Sequence, residues 1–117
     1  MQRIYIILII ITHALAFSTS SQAAQVKSSL HCKDQAIQQA QKLLEFHFGS
    51  DDRIEISQDV KALASIVNPR NKKQRFDVLE VWGFIYKGEY RMRFEYYLEK
   101  QGPCLLMGQE ILEYANI

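Results

Sequence analysis

The segment from Phe76 to Glu99 constrains this chain more than any other. Phe76 to Tyr86 is rich in β-branched and aromatic residues, and Lys87-Gly88 has the composition of a tight turn. From Glu89 to Glu99 the residues alternate: Tyr90, Met92, Phe94, Tyr96 and Leu98 against Arg91, Arg93, Glu95, Tyr97 and Glu99. A period of two is that of a strand with one buried face. Two such strands joined by a short turn make an antiparallel hairpin. Gln101-Gly102-Pro103 turns the chain again, and Cys104 to Tyr114 supplies a third strand of the same meander.

Register assigns the faces. A turn at Lys87-Gly88 sets Ile85 opposite Tyr90, Gly83 opposite Met92, Val81 opposite Phe94 and Leu79 opposite Tyr96. These residues share the core face. The other face then pairs Phe84 with Arg91, Trp82 with Arg93, Glu80 with Glu95 and Val78 with Tyr97. Glu80 opposite Glu95 is a repulsive pair. The last strand leaves its own facing open. Leu105, Met107 and Ile111 have one parity, and Cys104, Leu106, Gly108, Leu112 and Tyr114 the other. A bulge at Gly108 reconciles them.

Upstream, Ala36, Ile37, Ala40, Leu43, Leu44, His47 and Phe48 recur at helical spacing. They predict an amphipathic helix over residues 30–48. Ser28 or Ser29 is placed to cap it, Asp34 suits its first turn, and Gly49 can end it. Residues 53–67 alternate as strand, with a bend near Gln58-Asp59, although Val60, Leu63, Ala64 and Val67 also fit a short helix. Asn68-Pro69 ends that element, and Arg70 to Arg75 is a charged polar connection. Together these elements predict an α+β fold: one N-terminal helix packed on a curved antiparallel meander of four or five strands.

That element order resembles the cystatins and related helix-on-sheet folds. Gln58-Asp59-Val60-Lys61-Ala62 is similar to the Gln-x-Val-x-Gly loop of that family. Ala62 stands where the family has glycine, and Pro103 is not followed by the tryptophan of its second loop. The resemblance implies a fold and does not license an activity.

The N-terminus has a separate character. Met1-Gln2-Arg3 precedes the apolar run Ile4 to Ile11, and small residues follow at Ala14-Leu15-Ala16 and at Ser21-Gln22-Ala23-Ala24. This is the pattern of a secretory signal peptide, residues 1–24, with the later cut preferred. The apolar run is shorter than the ~20 residues of a spanning helix. Residues 25–117 then form one small domain, periplasmic or secreted, with no membrane attachment after cleavage.

Its 13 basic and 13 acidic side chains cancel, which argues against nucleic acid as a partner. Export places Cys32 and Cys104 in an oxidising compartment, where a disulfide is expected.

No nucleophile elbow, phosphate loop or zinc-protease helix occurs in the sequence. The reading leans away from an enzyme, with no cofactor and no metal. Trp82, Phe84, Tyr86, Arg91, Arg93 and Tyr97 form an aromatic and arginine face of the kind enriched at binding hot spots. Its expected occupant is another envelope protein, as for an inhibitor or immunity-type protein, or a second copy of the chain. Residues 25–29 could also cover it. The alternative function is a small-ligand or minor catalytic pocket between helix and sheet, lined by Leu44, His47, Tyr90, Phe94, Tyr96 and Glu110.

Overall fold

The computed structural model describes residues 25–99 and 102–114, together with Ala14 and Ala16. The leader reading of residues 1–24 otherwise lies outside the described residues. Helix α1 spans Lys33–Phe48. Three short strands follow: β1 (Ile54–Ile56), β2 (Lys61–Ala62) and β3 (Ile66–Asn68). Three long ones complete the chain: β4 (Asn71–Ile85), β5 (Gly88–Leu98) and β6 (Cys104–Tyr114). All described pairings are antiparallel. The sheet is four strands wide, because β1, β2 and β3 lie end to end along β4, followed by β5 and β6. The fold is the expected helix on an antiparallel sheet.

Residues 53–67 are thus strand, broken in two places. The break after β1 runs through Ser57 to Val60, where Val60 turns into the core. Gln58 and Asp59 stay exposed. The segment that resembles the cystatin loop is therefore part of the sheet edge, with its valine buried.

Helix α1 lies on one face of the sheet. Ala36, Ala40, Leu43 and Leu44 pack against Leu79, Val81, Tyr90, Met92, Phe94 and Tyr96. This is the face that the alternation selects. Gly49 ends the helix with φ 86°, a conformation open to glycine, and its N–H donates to the Glu45 carbonyl at 2.6 Å.

The helix start differs from expectation. Helix α1 begins at Lys33, and neither serine caps it. The Ser28 hydroxyl accepts the Val78 N–H at 2.6 Å, and Ser29 hydrogen-bonds Asp77 through both its N–H and its hydroxyl. Both serines serve the sheet edge because segment 25–29 runs beside residues 63–65. Ser28 N–H donates to the Leu63 carbonyl and Ser65 N–H to the Val26 carbonyl.

The hairpin register also differs, by two residues. The turn is Tyr86-Lys87, and Gly88 already pairs with Ile85. The glycine answers a space requirement: a Cβ there would meet the Tyr90 hydroxyl at 2.6 Å. Tyr86 takes the left-handed conformation instead, with φ 53°. A non-glycine residue pays about 1–2 kcal/mol there, offset in part by Arg53 and Lys87 lying 5.7 and 5.6 Å from its ring. Tyr86→Asn is expected to raise stability by about 0.5 kcal/mol, read as a higher urea midpoint with an unchanged slope.

A shift of two preserves parity, so the two faces are kept while every cross-strand partner changes. Arg93, not Glu95, stands opposite Glu80. The Arg70–Arg75 connection is also shorter than its composition suggests. Asn68 and Pro69 occupy the first two positions of a tight turn, and Asn71 to Arg75 already belong to β4.

The facing of β6 is resolved by a bulge at Met107, one residue before Gly108. Leu106 pairs with Tyr96 and Gly108 with Glu95, leaving Met107 extra. Cys104 therefore points inward and bonds Cys32. Beyond the bulge Gln109, Ile111 and Glu113 share the helix side, while Glu110, Leu112 and Tyr114 lie on the other.

Candidate functional site

The face away from α1 can be read in rows across the strands. Glu55, Phe84, Glu89 and Tyr114 make the first. Trp82, Arg91 and Leu112 make the second, and Lys61, Glu80, Arg93 and Glu110 the third. Val78, Glu95 and Gly108 form the fourth, with the Leu63 N–H bonded to the Val78 carbonyl beside them. Ile66, Phe76, Tyr97 and Leu105 close the face. A charged belt thus separates a patch around Trp82 and Tyr114 from a second apolar patch around Val78, Phe76 and Tyr97.

Glu80 organises the belt. Its buried carboxylate accepts the Trp82 Nε1–H at 3.0 Å and the Arg93 Nε–H at 2.9 Å. Both oxygens are satisfied, which a buried charge requires. Arg93 also reaches Glu110 at 3.8 Å across the next strand.

Arg91 Nη1 donates to the Tyr114 hydroxyl at 3.1 Å, and its guanidinium lies 5.9 Å from that ring. The Trp82 and Tyr114 rings meet at 5.2 Å. Arg91 Nε is buried with no hydrogen-bond partner among the described residues. An arginine held this way presents a fixed cation beside two aromatic rings.

The structure brings Trp82, Phe84, Arg91, Arg93 and Tyr97 onto this one face. Tyr97 is half-buried against Phe76, with ring centroids 6.3 Å apart. Tyr86 stands apart, 76% exposed at the hairpin tip. Segment 25–29 hydrogen-bonds residues 63–65, Asp77 and Val78 at the edge rather than lying across Trp82. Below the belt an open groove of about 490 Å³ is lined by Leu63, Ile66, Val78, Arg93, Gly108 and Glu110, among others. Sequence reading missed Tyr114, Leu112 and Lys61 on this face. The first two become visible only once the bulge sets their side, and the third only once β2 is aligned with Glu80.

The residues considered for a pocket under the helix do not surround one cavity. Leu44 and Phe94 are fully buried and fill the space between helix and sheet, with Tyr90 and Tyr96 beside them. Burial pushes the Tyr96 phenol up to about 12. His47 is exposed at the rim, edge-on to Phe48. Glu110 is on the opposite face with its side chain 58% exposed. A carboxylate so placed has neither the burial nor the enclosure that general-acid chemistry asks for.

The Cys32–Cys104 disulfide points to a location outside the reducing cytoplasm. Among the described residues no helix is long and apolar enough to cross a membrane. No family model, curated protein or solved structure matches the chain.

Proposed function

We propose that the chain is an exported, non-enzymatic binding protein of the cell envelope, periplasmic or secreted, that engages a protein partner through the sheet face opposite its helix. One observation carries this reading. The face away from the core holds a tryptophan, a tyrosine and two arginines already fixed in position by Glu80, Tyr114 and one another. Preorganised aromatic and arginine groups lose little freedom on binding, so contact with a partner is retained as affinity. The exposed Leu112 and the groove floor at Val78 add apolar area to either side of the charged belt. The disulfide supports the envelope location.

The test is a pull-down from envelope extract of cells that make the native chain. Tagged wild type and a Trp82→Ala/Arg93→Ala variant are compared, with a thermal melt to establish that both are folded. Wild type is expected to retain a partner that the variant loses by tenfold or more, a hot-spot effect of about 1.4 kcal/mol or above. Equal recovery by two folded proteins would remove this face as the binding surface.

A further inference from the structure

The third row of the outer face runs Lys61, Glu80, Arg93, Glu110 across four adjacent strands. Its charges alternate, positive, negative, positive, negative. We propose that this face pairs with the same face of a second copy of the chain, about a two-fold axis parallel to the strands. The inference rests on the binding-face reading above and names its partner.

Two sheets stacked face to face can be related by a two-fold axis along the strands or across them. An axis along the strands reverses strand order and keeps the rows. Lys61 then lies over Glu110 of the second copy, and Glu80 over its Arg93. Every position of the belt meets its opposite. An axis across the strands keeps strand order and sets Lys61 on Lys61 and Glu110 on Glu110. Like charges brought together on desolvation repel, with nothing to offset the lost hydration. The sequence of the belt therefore selects one symmetry.

One neighbouring row agrees with it. In the second row Arg91 comes over Trp82 of the other copy, a cation over an indole. Four strands spaced ~4.8 Å apart and five rows spaced ~6.7 Å cover about 600 Å² per copy, so about 1,200 Å² is buried in the pair, the lower end for a specific interface. Residues 25–117 carry no net charge, so no long-range repulsion opposes the approach.

The experiment is sedimentation of the exported protein, as the cell processes it, from low to high micromolar concentration. Four forms are compared: wild type, Lys61→Glu, Glu110→Lys, and the double exchange. Both side chains are exposed, so all four are expected to fold. Wild type is expected to dimerise reversibly. Each single exchange is expected to weaken the dimer by about tenfold or more, and the double exchange to restore it, because opposite charges again face each other.

A wild type that stays monomeric throughout would overturn self-pairing. If such a monomer still retained a different protein through Trp82 and Arg93, the binding-face reading would stand without it. A dimer indifferent to both single exchanges, or one that the double exchange fails to restore, would also overturn the proposed pairing.

Discussion

Reduction of the Cys32–Cys104 bridge is expected to destabilise the protein by about 4 kcal/mol. The two cysteines are 72 residues apart in sequence, and their Cα atoms lie 5.9 Å apart in the folded chain. Closing a loop of that length restricts the unfolded ensemble by about 4 kcal/mol in the chain-entropy account. Cys32 is completely buried at the start of α1, and Cys104 begins the edge strand. The bridge therefore ties the helix to the far side of the sheet, where β6 is held through its pairing with β5.

A domain of this size has about 5–15 kcal/mol in total, so the melting temperature is expected to fall by on the order of 20 °C. Thermal melts with and without reductant, repeated on a Cys32→Ala/Cys104→Ala variant, would check it. Unchanged midpoints in both comparisons would show that the bridge contributes nothing.

Phe94→Ala is expected to cost about 3–5 kcal/mol, the range for truncating a buried phenylalanine. Phe94 is 0% exposed in the middle of β5 and belongs to the cluster formed with Leu44, Leu79, Val81 and Met92. The helix face above the sheet carries Ala36 and Ala40, both fully buried, so little helix side chain is available to fill a void. Collapse is further limited because the disulfide fixes one end of α1. Urea denaturation of the oxidised protein should show the loss as a lower midpoint. A change below about 1 kcal/mol would mean that the core around Phe94 relaxes far more than tight packing permits.

The two effects act on different states. The bridge works mainly by restricting the unfolded chain, and Phe94 by filling the folded one. With the disulfide reduced, the same Phe94→Ala substitution is expected to leave little or no folded protein.

How far the candidate face was legible follows from particular residues. Arg91, Arg93, Glu95 and Tyr97 could be placed together because strand side chains alternate without exception between bulges. Trp82 and Phe84 joined them by the parity of the hairpin. The partners within the face were not legible. Glu80 reads as opposite Glu95 if Lys87-Gly88 makes the turn, and as opposite Arg93 once Tyr86-Lys87 does. The composition of the turn allows either, and the observed register is the one that sets Arg93 against Glu80. Glu110 was equally ambiguous. One extra residue at Met107 moves it from the helix side to the solvent side. Lys61 had no assignable neighbour at all, since β2 is two residues long and its register depends on where β4 already lies.

The sequence by itself determined the periodic features: one helix, a meander of alternating strands, which β5 residues face the core, and which two cysteines could join. These depend on local period and on composition, which a linear chain carries in full. The tertiary structure alone decided the register of the hairpin, the division of the first edge into β1, β2 and β3, the bulge in β6, and the use of Ser28 and Ser29 at the edge instead of the helix. Each of these turns on a contact between residues distant in sequence, such as Ser28 with Val78 or Glu95 with Gly108. A period cannot encode such a contact, and the alternating belt from Lys61 to Glu110 exists only because four strands brought it into one row.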